Sequence, residues 1–419
     1  MDNKDKEVIG KNKKLNKKII NVFLIVILFL STAVGFFYLG NKTSLTSYAF
    51  ANKDLSKSMD GVKDVSKFKQ LFKVRDLIYK YYDGEIDNDK LVDGAIKGMT
   101  QALKDPYTIY MDSNEYKKFS EKVEGNYVGI GIQIQVKDDK ITVAKPLEGS
   151  PAQKLDVKPG DVILKVDNTD VSGKELEKAM SMIRGKEGTN VKLTLFREGK
   201  GDFNLDVPRK RIKNQSIYGN MIGDNIGYIE IKEFTHNTGK DFTSKLKDLE
   251  NKGMKGLILD LRNNPGGYLT ESVNVVSNFI PKDKTIVSTI NKYGEKSVNE
   301  SKGGVAIGMP LVVLTNGETA SASEIVAGAI KDYGIGTLIG EKTFGKGVVQ
   351  AVIEDKQNGS ALKVTISKYY TPNGENINKI GIKPEIEVTY PEDLLSKPYS
   401  RQEDPQFQKA LEVMKEKMK

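Results

Sequence analysis

Ser321 lies in the run Thr319-Ala320-Ser321-Ala322-Ser323-Glu324, and Lys346 in Gly345-Lys346-Gly347, with Gln350 four positions further on. The chain of 419 residues holds one histidine, His236, in no recognisable motif, and no cysteine. Amide hydrolysis by a hydroxyl requires a group to carry its proton and donors aimed at the developing oxyanion. With imidazole scarce and thiol absent, a serine enzyme on this chain must look to lysine, its ammonium pKa brought from about 10.4 towards 7 by burial in a poorly hydrated pocket. Gly345 and Gly347 permit tight packing around such a lysine. The amides after Ser321, where a helix begins near Glu324, are unpaired donors at the positive end of a helix dipole. Gly266 and Gly267, in Arg262-Asn263-Asn264-Pro265-Gly266-Gly267, lack Cβ and can bring a second amide close to a scissile carbonyl.

The same letters carry a purely structural meaning. Ser321 to Glu324 spells a helix capping box, worth about 1 kcal/mol, and Ser323 competes with Ser321 as the nucleophile. The capping role leaves the glycine-flanked lysine and the NNPGG loop unexplained. On a regular strand Gln350 would share the face of Lys346 about 13 Å away, so either the strand bends near Gly347 or Gln350 lines the site without touching the ammonium. His236 follows a strand end and reads as a solvated loop residue.

These residues need elements to hold them, and composition bounds what those are. The length allows two or three cores; 38% hydrophobic and 29% charged residues describe an ordinary folded chain. Absence of cysteine excludes a disulfide framework and a thiolate zinc site. The net charge of +9 is diffuse beyond the first eighteen residues, with no arginine cluster among aromatics, which argues against nucleic acid as a partner. From Ile19 to Leu39 the chain is uncharged and apolar, long enough to span roughly 30 Å of hydrocarbon. Lys11, Lys13, Lys14, Lys17 and Lys18 precede it, which keeps that flank cytoplasmic and sends everything after Gly40 outside. An uncleaved single-pass anchor is expected, with secretion after cleavage near Ala49-Phe50-Ala51 as the alternative.

Phe68, Leu71, Phe72, Leu77, Ile78 and Tyr81 recur at helical spacing, and Leu91, Ala95, Ile96 and Met99 repeat the pattern. Asp105-Pro106-Tyr107 marks a turn. From Gly125 to Pro208 short strands and turns prevail, with a helix over Glu175 to Ile183. After Arg209 strands and helices alternate: Ile226 to Phe234, Gly239 to Asn251, Gly256 to Leu261, Leu269 to Phe279, Leu311 to Thr315 and Glu324 to Ile330. Such alternation predicts an α/β layer of parallel strands, active at their carboxyl ends, where the NNPGG loop and Ser321 both fall. Asp404 to Lys419 reads as a charged helix.

Tyr127-Val128-Gly129-Ile130-Gly131-Ile132 resembles the carboxylate-binding loop and first peptide-pairing strand of a PDZ domain, and Gly149-Ser150-Pro151-Ala152 and Pro159-Gly160-Asp161-Val162-Ile163 match two further PDZ turns. Such domains add a peptide as an extra strand and hold its carboxylate on backbone amides. With LRNNPGG, TASASE and GEKTFGKGVVQ following in order, the stretch Phe68 to Tyr390 resembles the carboxy-terminal processing peptidases, or tail-specific proteases. The resemblance implies Ser321 as nucleophile, Lys346 as general base, Gln350 as its helper and the Gly267 and Ala322 amides as oxyanion donors, with no metal or cofactor. It implies peptide-binding by Gly129, Ile130, Gly131 and Ile132, protein substrates with apolar C-termini, a PDZ domain that gates the site, and a homodimer through the terminal helices. It also implies a crotonase/Clp-like protease core. Asn376 to Lys379 is more polar than the family pattern. The expected organisation is a basic tail (1–18), a transmembrane helix (19–39), a tether (40–67), an N-terminal helical part (68–124), an inserted PDZ domain (125–208), the serine protease core (209–395) and a C-terminal helical segment (396–419).

Overall fold

A computed structural model describes residues 65–213 and 215–419. The apolar run Ile19–Leu39, its lysine flank and most of the tether lie outside the described residues; among those described, no helix is long and apolar enough to cross a membrane. The chain divides into a unit ending at Asn88, which holds the helix Val65–Tyr81, and a unit from Asp89 onwards. On that first helix Phe68, Leu71, Phe72, Leu77 and Tyr81 are all exposed.

At the centre of the second unit, Ile226–Ile231, Gly256–Asp260, Leu311–Thr315, Thr337–Gly340 and Ile386–Glu387 pair in parallel in that order, and Ile217–Ile222 closes the first edge antiparallel. Gly256–Asp260 and Leu311–Thr315 are buried at every position, as parallel strands covered on both faces must be. Alternate residues sort to opposite faces: Leu257, Leu259 and Val313 pack with the helices Thr238–Asn251, Leu269–Val276 and Ala322–Asp332, while Ile258, Val312 and Leu314 pack with Phe407, Ala410, Val413 and Met414. The terminal helix, Pro405–Lys417, is thus amphipathic rather than simply charged, and it roofs the second face of the sheet.

A buried network pins that roof. Arg262 Nη2 donates to Asp260 Oδ2 at 2.7 Å and Nη1 to Asp404 Oδ2 at 2.8 Å. Tyr228 and Tyr399 each add a hydroxyl donor, to Asp260 and Asp404 respectively, and Asp404 also caps the helix through the Phe407 N–H. The loop that begins at Arg262 is therefore anchored before it reaches its glycines.

A second sheet runs Ile109–Met111, Ala361–Tyr370, Thr285–Asn291, Lys296–Glu300, with Val348–Glu354 paired to Ala361–Tyr370. The inserted β-rich part is an antiparallel sheet from Ile132–Lys137 to Gly201–Pro208 with its own core of Ile130, Ile141, Val143, Ile163, Leu193 and Leu195. The chain enters and leaves it through one two-stranded ribbon, Asn126–Gly129 against Lys210–Lys213.

Candidate active site

Ser321 caps the helix Ala322–Asp332 with φ 54° and ψ −114°. A non-glycine residue at positive φ is strained and survives only where its surroundings over-determine it. Here they do. Asn264 accepts on its backbone carbonyl from Ala320 N–H at 3.0 Å and from the Ser323 hydroxyl at 3.1 Å, and its side chain holds Gly266 N–H and Ile231 C=O. Tyr369 supports the turn from behind, its hydroxyl donating to the Ser321 carbonyl at 3.2 Å. Ser323 is fully buried and committed to Asn264, which removes it as a rival nucleophile.

Glu324 does more than cap. Its Oε2 accepts from the Ser321 N–H at 2.8 Å and the Lys346 N–H at 2.9 Å, and its Oε1 from Thr343 Oγ1 at 2.6 Å and Gly345 N–H at 2.7 Å. Four donors on two oxygens define an acceptor-only carboxylate. Burial pushes its carboxyl up, and the four donors work against that rise. One fully buried side chain thus ties the Ser321 backbone to the backbone of the lysine loop. Gly345 makes the loop's approach feasible: at φ 90°, a Cβ there would lie 2.8 Å from the Gly381 nitrogen. Asn376 and Asn378 hold the far side of the loop through Gly347, so the polarity of this stretch serves the loop rather than the edge of the cleft.

Ser321, Lys346, Gln350, Gly267 and Ala322 all line one cavity of about 510 Å³. Its other walls are Tyr116, Phe119 and Val123 from the helix Ser113–Glu124, Leu269, Ile325, Val348, Val349 and Val352. Burial lowers the Lys346 ammonium to about 8, helped by the nearby charge of Lys363 and opposed by Glu324 and Asp105. The lysine and serine share the cavity without a hydrogen bond between them; Nζ lies over the Tyr107 ring, 4.8 Å from its centroid. Gly267 and Ala322 each offer an N–H that donates to no other protein group among the described residues. At Gly267, φ is 141° and a Cβ would fall 2.1 Å from the Phe234 carbonyl oxygen, so only glycine fits.

Gln350 reaches the cavity through a β-bulge. The register of Val348–Glu354 against Ala361–Tyr370 shifts between Val349, opposite Ser367, and Gln350, opposite Thr365. A bulge re-aims side chains locally, so regular-strand spacing does not apply; Gln350 donates to Thr365 Oγ1 at 3.4 Å. His236 is exposed, 6.4 Å from the Tyr268 ring centroid, and does not line the cavity. In the inserted sheet, Gly129 ends one strand and Ile132 begins the next, whose only strand partner among the described residues is Lys140–Pro146. Ile130 is buried, and the Ile130 and Gly131 N–H groups donate to no protein acceptor among the described residues.

Sequence reasoning did not single out Tyr107, Asp105 or Lys363 as site residues, nor the helix Ser113–Glu124. That helix had a legible signal: Asp112 and Glu115 form a complete capping box in the structure. Among the described residues no group of His, Cys, Asp and Glu is arranged to hold a metal ion.

Comparison with known proteins agrees with this architecture. The family model of Peptidase family S41 matches residues 225–388, that of the PDZ domain residues 119–196, and that of the activating protease CtpB N-terminal domain residues 30–115. The chain is 40% identical over 385 residues to the carboxy-terminal processing protease CtpA of Bacillus subtilis (strain 168), covering 91% of this chain and 80% of that one. It is 35% identical over 348 residues to the carboxy-terminal processing protease CtpB of the same organism, covering 82% and 70%. A solved structure from Bacteroides fragilis assigned to the S41 proteases superimposes with a TM-score of 0.51 at 16% identity, over 80% of this chain and 93% of that one, a likeness of fold alone. The chain belongs to peptidase family S41. It is a serine-type, C-terminal processing peptidase that carries a PDZ domain.

Proposed function

We propose that this peptidase is a membrane-anchored endopeptidase that works outside the cytoplasm, takes protein tails on its PDZ domain and cuts them with a Ser321–Lys346 dyad. The observation that carries the dyad is the half-buried, weakly basic Lys346 lining the same apolar cavity as a strained serine at a helix N-terminus. Neutral Lys346 takes the Oγ proton as Ser321 attacks the scissile carbonyl, and the oxyanion rests on the Gly267 and Ala322 amides. The lysine then gives that proton to the departing amine, and a water, deprotonated in turn by Lys346, releases the acyl group. For proton transfer the neutral amine must leave the Tyr107 ring for the hydroxyl, and Gln350, which lines the same cavity, is the side chain proposed to receive it there. The apolar walls suit apolar residues beside the scissile bond, and the open edge of Ile132–Lys137, with free amides at Ile130 and Gly131, suits a C-terminal carboxylate.

The anchor is the run Ile19–Leu39, and the exposed apolar face of Val65–Tyr81, with Phe68, Leu71 and Phe72, suits a second copy of the chain. Residues 41–419 incubated with an unfolded protein of apolar C-terminus should yield fragments. Ser321→Ala and Lys346→Ala should each abolish them, and cleavage persisting in Lys346→Ala would refute the assigned base. Sedimentation of the full chain with membranes, resistant to alkaline wash, tests the anchor.

A further inference from the structure

Two amines face the cavity, and the dyad uses one. Lys363 sits on Ala361–Tyr370 opposite Val352 and lines the same cavity as Ser321 and Lys346. Its Nζ lies 5.4 Å from the centroid of the Phe119 ring, and among the described residues it has no ion pair within 4.0 Å. Asp105, the carboxylate that acts on it, already accepts from Thr108 Oγ1 at 2.6 Å and Tyr107 N–H at 3.0 Å. Burial lowers the Lys363 ammonium below its ordinary value.

A base must be neutral to act, so the dyad leaves Lys363 as the remaining lysine of a cavity whose lining includes no Asp or Glu. A half-buried ammonium without a direct ion pair is unfavourable until an anion meets it, and a carboxylate there forms a charge-assisted hydrogen bond in a poorly hydrated setting. We propose that Lys363 is a carboxylate-binding subsite of the cleft, which takes an anionic group of the bound polypeptide, either its free terminal carboxylate or an acidic side chain. This rests on the cleft being the proteolytic site. It makes the preferred segment one in which apolar residues, packed on Phe119, Ile325 and Val352, stand beside an acid. Substrate choice then has a charge component independent of the PDZ loop.

Three versions of one apolar peptide separate the sources: a free acid, its terminal amide, and the amide with a single Glu walked along the chain. The expected result is that wild-type kcat/KM for at least one carboxylate-bearing version exceeds the neutral amide by about tenfold, mostly through KM. That ratio should fall to about one in Lys363→Met and Lys363→Gln, persist in Lys363→Arg, and shrink with added salt in the wild type. The version whose advantage collapses identifies the source. A free-acid preference made only at the PDZ loop would survive Lys363→Met, and that survival, or no wild-type preference at all, overturns the proposal. The same peptides bound to Ser321→Ala, followed by fluorescence anisotropy, should show the preference without turnover. If Ser321→Ala cleaves like wild type, the dyad falls while this binding readout still decides the role of Lys363.

Discussion

Glu324 shows how one residue can serve stability and geometry together. Its carboxylate collects Ser321, Gly345 and Lys346 backbone amides and the Thr343 hydroxyl. In Glu324→Gln an amide NH2 would face donors, leaving buried N–H groups unpaired at a cost of about 2–4 kcal/mol. Denaturant titration should register that loss. Because the serine and lysine backbones would drift relative to one another, kcat should drop about a hundredfold with KM little changed. Loss through KM alone would contradict the coupling.

The proposed dyad predicts a pH dependence. With Lys346 as the proposed base, its pKa of about 8 would set the acid limb, so kcat/KM should rise about tenfold per pH unit up to about pH 8 and then level off. The groups that act on it are Lys363, which lowers the value, and Glu324 and Asp105, which raise it, with the Tyr107 ring packed against Nζ. Asp105→Asn removes a raising charge and should move the limb to lower pH; a pH–rate profile of both proteins checks the sign. The serine, the lysine and the glycine loop were legible as residue types at meaningful spacings. Tyr107, Lys363 and the second role of Glu324 were not, because an aromatic under an ammonium and a carboxylate shared between two loops exist only once distant segments meet.

At the scale of elements, the parallel strands and their helices could be read from apolar runs and glycine punctuation, since strands such as Leu311–Thr315 are buried on both faces. The terminal helix was harder. Its apolar residues Phe407, Ala410, Val413 and Met414 are spaced for one face among many charges, and only the sheet shows what that face covers. The bulge at Gln350 was beyond sequence reading because register belongs to the partner strand as much as to its own. The Arg262–Asp404 tie makes the terminal helix part of the active-site scaffold, since the loop from Arg262 leads to Gly267. Arg262→Leu leaves Asp260 and Asp404 buried without their cation, and unfolding free energy should fall by about 3–5 kcal/mol. Hydrogen exchange should show the loss concentrated in Pro405–Lys417 and the loop; uniform loosening would count against a local tie.

At the scale of the molecule, the inserted sheet was legible because its turns are made by Gly, Pro and Asp at fixed offsets. How it meets the protease was not. Arg184, at the end of the helix Leu176–Ile183, reaches Glu121 at 3.4 Å; the arginine is exposed and the glutamate still partly open to solvent. Glu121 belongs to the helix whose Phe119 and Val123 wall the cavity. Exposed pairs of this kind contribute about 0–1 kcal/mol, so Arg184→Ala should barely change the melting temperature of the whole chain.

The ribbon through which the insert enters and leaves has a further consequence. Asn126 faces Lys213 across it, so the two ends of the protease sequence already stand side by side, about 5 Å apart as cross-strand neighbours are. Replacing everything between Gly129 and Lys210 with a two-residue Asn-Gly hairpin turn should leave a peptidase that folds. That is measurable as a cooperative melt and retained cutting of short peptides that need no tail receptor. Such an outcome would make the chain a cutting tool with a detachable address reader, and another reader grafted at that hairpin would redirect the blade without rebuilding it.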